Sequence, residues 1–197
     1  MPRLEVEEHP LGLTWVAEEP MERAFHALAA GDRVWYVDPL DVPELKGAAA
    51  LGEPAGVLQL LDRHNRDCAA VAARLGVPHL KVPDAVPDSP FEAIPVVRLP
   101  GWKETALWWP DRRALVVAET LAANPMHTGG AQPVGVHLFL RALPPGSLRR
   151  YRPEHLLLGH GHGVHGPQAA VAVEGAYARS RRDLPRVLWR LPSNAVH

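Results

Sequence analysis

Residues 62 to 68 read Asp-Arg-His-Asn-Arg-Asp-Cys, which brings an imidazole, two carboxylates and the chain's single cysteine into one short stretch. These side-chain types hold zinc and related ions, and a polar loop between a strand and a helix is a place where such ligands converge. Each residue also has a plainer reading. Asp67 precedes an alanine-rich run and can cap a helix, where its charge favours the free amides of the first turn. Cys68 can be a small apolar filler at that helix start. His64 reads as a solvent-facing loop residue. Farther along, His160, His162 and His165 form His-x-His-x-x-His, with His160 and His162 expected on one face of a strand end. His127 and His137 have no partner in sequence and are assigned no role.

The elements that must position these groups follow from punctuation and period. "LTWVAEE" and "RVWYVDP" are β-branched and aromatic-rich strands, the second halted by Asp38-Pro39. "GVLQLLD" is a continuous apolar run, as in a strand covered on both faces. "DCAAVAARLG" is a helix with an acid at its front, Val71 and Leu75 four apart, and Gly76 as its stop. "VPHLKVP", "IPVVRLPG" and "HLLLGHG" read as further strands. Pro110-Asp111-Arg112 turns "TALWW" back onto "ALVVA" as a hairpin. Residues 134–143 and 166–183 read as helices. Two groups of strands, each followed by helices, imply packed sheets with helices outside.

Composition narrows the function classes. At 197 residues, with 47% hydrophobic and 22% charged, the chain suits one globular domain over residues 1–197. A formal charge of −1 supplies no field for recruiting nucleic acid or membrane. One cysteine rules out an internal disulfide framework and suits a reducing, cytoplasmic setting. Arg179, Arg181, Arg182, Arg186 and Arg190 lie among Tyr177 and Trp189, a combination that suits nucleic acid. Their spacing instead puts Arg179, Arg182 and Arg186 on the solvated side of a helix. A small-molecule ligand or a second copy of the chain remains as the expected partner.

In order and spacing, these features resemble the metallo-β-lactamase fold superfamily over most of the chain. "VWYVDP" stands for the strand ending in an Asp loop, and Arg63 to Cys68 for the His-x-His-x-Asp-His loop. Pro100-Gly101-Trp102 with Glu104 to Trp108 stands for the Pro-Gly-His turn and the strand after it. Ala118-Glu119 matches a strand ending in Gly-Asp, and Gly159-His160-Gly161 one ending in Gly-His-Gly. The resemblance implies a four-layer αβ/βα sandwich of two mixed sheets with outer helices.

That family usually binds two metals, most often zinc. Its first site needs three histidines at positions held here by Arg63, Asn65 and Trp102, and neither guanidinium nor indole offers a lone pair to a metal. Its second site falls on Asp67, Cys68, His160 and Glu119, each still a possible ligand type. Arg63, His64, Asn65 and Trp102 would then line the pocket, with Trp102 filling the vacated space. Glu119 would serve as ligand or base, or else pair with Arg63 or Arg66. The expected protein is one without the first metal site and without robust hydrolase activity, acting in binding or as a scaffold, with no cofactor. The alternative is a mononuclear zinc hydrolase of an ester, thioester or amide, built on the four second-site residues.

Overall fold

The computed structural model describes residues 2–64, 66–130 and 132–194, the last five of these by their backbone. The first sheet takes its strands in chain order: β1 (Leu4–His9), β2 (Gly12–Ala17), β3 (Ala24–Ala30), β4 (Arg33–Val37), β5 (Glu53–Gln59) and β6 (His79–Lys81). Strands β1 to β4 form an antiparallel meander, while β4, β5 and β6 run parallel. Parallel neighbours need a crossover. Helix α1 (Cys68–Leu75) supplies the one between β5 and β6.

The second sheet begins with β7 (Glu92–Leu99), β8 (Trp102–Trp109) and β9 (Ala114–Val117), and the β8–β9 hairpin turns at Pro110–Arg112 as expected. A short excursion follows, with β10 (Leu121–Ala122), α2 (Pro125–Thr128) and β11 (Gly135–Val136). The chain then returns as β12 (His155–Leu158), parallel to β9, and closes the sheet with β13 (Val164–His165). Helices α3 (Gln168–Arg179) and α4 (Leu184–Asn194) complete the described residues. Both sheets are mixed, and the architecture is the α+β sandwich expected from the sequence. Among the described residues, no helix is long and apolar enough to cross a membrane.

Strand β4 shows how the sequence builds two cores. Trp35 and Val37 join the large core between the sheets, whereas Val34 and Tyr36 join a second core beneath α1. A period of two with both faces covered gives the unbroken apolar run. Helix α1 contributes Cys68, Val71 and Ala72 to that second core, a stripe at i, i+3 and i+4. It stops at Gly76 in the left-handed conformation (φ 68°), whose amide reaches the Ala72 and Ala73 carbonyls.

Two expectations need correction, and one strand went unread. Residues 134–143 are not one helix: Gly135 and Val136 pair with Ala122 and Leu121, and a single 3-10 turn covers Leu138–Leu140. A short apolar run has no decisive period, and Gly135 lies so close to the His127 carbonyl that an added Cβ would come within 2.1 Å of it. The alanine-rich β3 carries little strand propensity, yet its neighbours β2 and β4 recruit it. Asp67 stands at the front of α1 but makes no side-chain cap; its Oδ2 accepts from the Asp41 amide at 2.9 Å instead. In the arginine-rich segment, Arg182 and Arg186 are exposed and Arg179 is half-buried, while the side chain of Arg190 lies outside the described residues.

Candidate metal centre

The residues that follow β4, β5, β9 and β12 meet at one rim, where His64, Glu119 and His160 converge and Asp38 contacts His64. Asp38 follows β4 in the left-handed conformation (φ 47°). Its Oδ1 accepts from the Leu60 amide at 3.1 Å, and its Oδ2 faces His64 Nδ1 at 3.2 Å. Burial alone would raise this carboxyl. The His64 imidazole, the hydrogen bond from it, and Arg66 outweigh that effect and hold it below its ordinary range.

On the second sheet, buried Glu104 acts as a brace. It accepts from the Glu119 amide at 3.0 Å, the Thr120 amide at 3.0 Å and the Thr120 hydroxyl at 2.6 Å. These bonds fix the backbone just beyond β9, and with it the direction of the Glu119 side chain. Burial nevertheless leaves the Glu104 carboxyl above its ordinary range. Gly159 lets β12 approach β9, since a Cβ there would lie 2.2 Å from the Ala118 carbonyl oxygen.

The two histidines have defined tautomers. His160 Nδ1 donates to the Met21 carbonyl at 2.9 Å, and His64 Nδ1 donates to the Asp38 carboxylate. With its proton on Nδ1, neutral His160 carries a lone pair on Nε2, which faces His64 Nε2 3.4 Å away. That spacing fits a weak N–H···N hydrogen bond and equally an ion held between two lone pairs. Burial, then Arg66 and His64, lower His160 to about 4, so its Nε2 is the acceptor or ligand of the pair.

Glu119 supplies the carboxylate. Its Oε2 accepts from Arg63 Nη2 at 2.8 Å and Nε at 3.2 Å, and its Oε1 lies 3.6 Å from His137 Nε2. Ligand atoms of His64, Glu119 and His160 all fall within 4.8 Å of one another. The Arg63 guanidinium lies 3.8 Å from the Trp102 ring centroid, and the His137 ring meets the same indole edge-on at 4.8 Å. Trp102 is buried. Arg66 donates to the carbonyls of Ala24, Asp38 (3.2 Å) and Gly159 (2.8 Å).

Of the residues named from sequence, the structure therefore brings together Glu119, His160, Arg63, Trp102 and His64. His64 points inward with 10% of its side chain exposed, contrary to the solvent-facing reading. Asp38 draws it in. Asp67 and Cys68 are not among the converging ligands. Asp67 holds the Asp41 amide, and Cys68 belongs to the second core, where burial and then the Asp38 charge push its thiol up, away from the thiolate a metal requires. Asn65 lies outside the described residues. Sequence reasoning passed over Asp38 as a histidine partner, Glu104 as a brace, and His127 and His137. The last two ring centroids are 5.0 Å apart, with His127 stacked 6.0 Å from His160. His127 and His137 both lie between Glu119 and His160 in the chain, which was the available signal.

The donor set decides which metals fit. Arg63, a fixed cation, and Trp102, a packed indole, offer no ligand atom. One ion fits. Two nitrogens on a zinc at 2.0–2.1 Å with near-tetrahedral angles are roughly 3.3–3.5 Å apart, which is the spacing of the two Nε2 atoms. The partners on Nδ1 are the second-shell acceptors that ligating histidines use. Glu119 Oε1 remains available while Arg63 keeps Oε2. A cavity of about 630 Å³ at the opposite rim, by Arg33, Trp35, Trp109 and Arg112, has no histidine or cysteine in its lining and offers no such ligand set.

No family model matches the chain, and no curated protein matches it in sequence. Its architecture is nonetheless that of known structures: the chain has the metallo-β-lactamase fold. The similar structures include the DIM-1 metallo-β-lactamase exposed to ceftazidime, at TM-score 0.59 and 11% identity, covering 91% of this chain and 98% of that one. The FIM-1 metallo-β-lactamase from Pseudomonas aeruginosa in its mono-zinc form matches at TM-score 0.59 and 10% identity, over 92% and 97% of the two chains. A peroxy diiron species of the chemotaxis sensor ODP matches at TM-score 0.54 and 13% identity, over 79% and 86%. Neighbours of this fold thus include a sensor as well as lactamases.

Proposed function

We propose that this protein is a metallo-β-lactamase-fold binding protein whose pocket is rebuilt to hold one divalent transition metal through His64, His160 and Glu119, without fast hydrolysis. The observation that carries this reading is the convergence of His64, His160 and Glu119 ligand atoms within 4.8 Å, with each imidazole anchored at Nδ1 by an acceptor. When bound, the ion supplies a Lewis acid with positions left open by three protein ligands. The chain's own residues do the rest. Asp38 and the Met21 carbonyl keep the imidazoles in their ligating tautomers. Arg63 neutralises one Glu119 oxygen and turns the other inward. Trp102 excludes water from the place that a second ion occupies in relatives.

The same features argue against rapid turnover. Arg63 occupies the first-site position and bonds the carboxylate that would otherwise serve as base. The mono-zinc and sensor neighbours support a fold that accepts one metal and non-hydrolytic roles. A small-molecule ligand at the open positions is the proposed partner.

The test is metal content and cobalt(II) absorption of untagged protein, for wild type and for His64→Ala and His160→Ala. One metal equivalent that both variants lose supports the pocket, and content that neither variant changes overturns it. Three protein ligands with an open corner also sustain a second reading, a slow mononuclear hydrolase of an ester, thioester or amide. Zinc-dependent turnover of a chromogenic thioester or lactam, abolished in His160→Ala, would favour that reading over the first.

A further inference from the structure

The rim opposite the pocket is built from two turns and a loop. The β3–β4 turn brings Gly31 and Arg33, the β8–β9 turn brings Asp111 and Arg112, and the loop before β7 brings Asp88. Together they surround the cavity of about 630 Å³, a size ordinary for small-molecule sites. Its floor is aromatic. Trp35 of the first sheet and Trp109 of the second both lie edge-on to Phe91, with ring centroids 6.1 and 5.3 Å away. All three are buried members of the large core, so the floor is rigid.

Each turn lays a guanidinium over its own indole. Arg33 lies 5.3 Å from the Trp35 ring centroid and Arg112 lies 5.9 Å from that of Trp109, both within cation–π range. Arg33 is held further by donating to the Asp88 carbonyl at 2.9 Å. Other surface arginines, such as Arg74 and Arg98, meet carboxylates at 2.7 and 3.2 Å. Among the described residues, Arg33 and Arg112 have no carboxylate within 4.0 Å, although Asp88 and Asp111 line the same cavity. Charges of both signs therefore stand at one cavity without neutralising each other.

A plain anion here is drawn to the guanidiniums and repelled by the carboxylates, and a plain cation meets the reverse. Like charges brought together at a binding surface cost affinity. A zwitterion satisfies both signs, and the indole floor favours one that carries a flat ring. We propose that this rim binds a free amino acid with an aromatic side chain. Its carboxylate would lie on Arg33 and Arg112, its ammonium on Asp88 and Asp111, and its ring on the floor of Trp35 and Trp109. The site is separate from the pocket and needs no metal.

The experiment titrates the isotope-labelled whole chain with L-phenylalanine and follows backbone amides by NMR. Amides around Gly31, Arg33, Asp88 and Arg112 should shift and saturate, with a dissociation constant of about 1 mM or tighter. Phenylpropionate lacks the ammonium and phenethylamine lacks the carboxylate, and each should bind at least about tenfold more weakly. The double variant Arg33→Gln/Arg112→Gln should lose phenylalanine binding, and an unchanged thermal midpoint of unfolding would assign that loss to recognition. Asp88→Asn/Asp111→Asn should bring phenylalanine down to the affinity of phenylpropionate, whereas His64→Ala should bind phenylalanine as wild type does. No saturable shift at these amides overturns the proposal, as does phenylalanine affinity unchanged in the arginine double variant. Phenylpropionate binding as tightly as phenylalanine overturns it too, since the rim would then be a plain anion site.

Discussion

The two sheets contribute to the pocket in opposite ways. The second sheet presents Glu119 and His160 at strand ends, both still ligand types and both held by short backbone geometry. The first sheet presents a loop that brings Arg63, His64 and Arg66 to the site, while Asp67 and Cys68 turn away to the Asp41 amide and the core under α1. Strand ends are fixed by their ladders, so a residue there keeps its direction when the chemistry around it changes. A loop is free to be rethreaded. This one brings in two guanidiniums and holds His64 against Asp38.

The contrast can be attacked from its strongest point. Arg66→Met removes the donors to three carbonyls and a countercharge to buried Asp38, and should cost about 3–5 kcal/mol in urea unfolding, as breaking a buried ionic network does. Glu104→Ala, on the second sheet, strips a bond from each of three donors and should cost about 2–3 kcal/mol. If Glu104→Ala proves the more damaging, the strand ends rather than the loop carry the pocket.

Acid tests both sheets together. Burial, then nearby charges, lower His26 to about 3 in the first sheet, and the same order of causes lowers His160 to about 4 in the second. Both are neutral when folded, whereas the unfolded chain takes up protons near pH 6.5. Their contribution is therefore complete above that pH and is lost as pH falls toward 4. The expected slope is about 1.4 kcal/mol per pH unit for each group, and His26→Gln should remove one share of it.

Smaller effects separate the loop's residues. Arg63→Ala frees Glu119 Oε2 from its competing cation and should tighten pocket zinc by about fivefold, given an exposed-to-half-buried pair worth about 1 kcal/mol. Asp67→Asn and Cys68→Ala should shift stability by about 1 kcal/mol or less and leave pocket metal unchanged. Loss of that metal in either variant would restore the ligand set read from sequence.

The sheets were legible because β4, β5, β9 and β12 are apolar runs bounded by Pro, Gly and Asp, and α1 has a stripe with a glycine stop. The alanine-rich β3 was silent, since its pairing comes from neighbours. At the site, Glu119, His160, Arg63 and Trp102 were found through their places in a motif. His64 was misjudged because its direction is set by Asp38, 26 positions earlier and in an unusual backbone conformation. His162 was expected to share a face with His160, and the turn at Gly161 separates them. Spacing along a chain records faces only where the backbone is regular.

Arg66 has one more consequence. Its guanidinium ties Ala24 and Asp38 of the first sheet to Gly159 of the second, a cross-link that an ion at this rim would otherwise provide. Because the strut is covalently part of the chain, folding does not wait on metal supply. The folded state should therefore persist in the presence of a chelator.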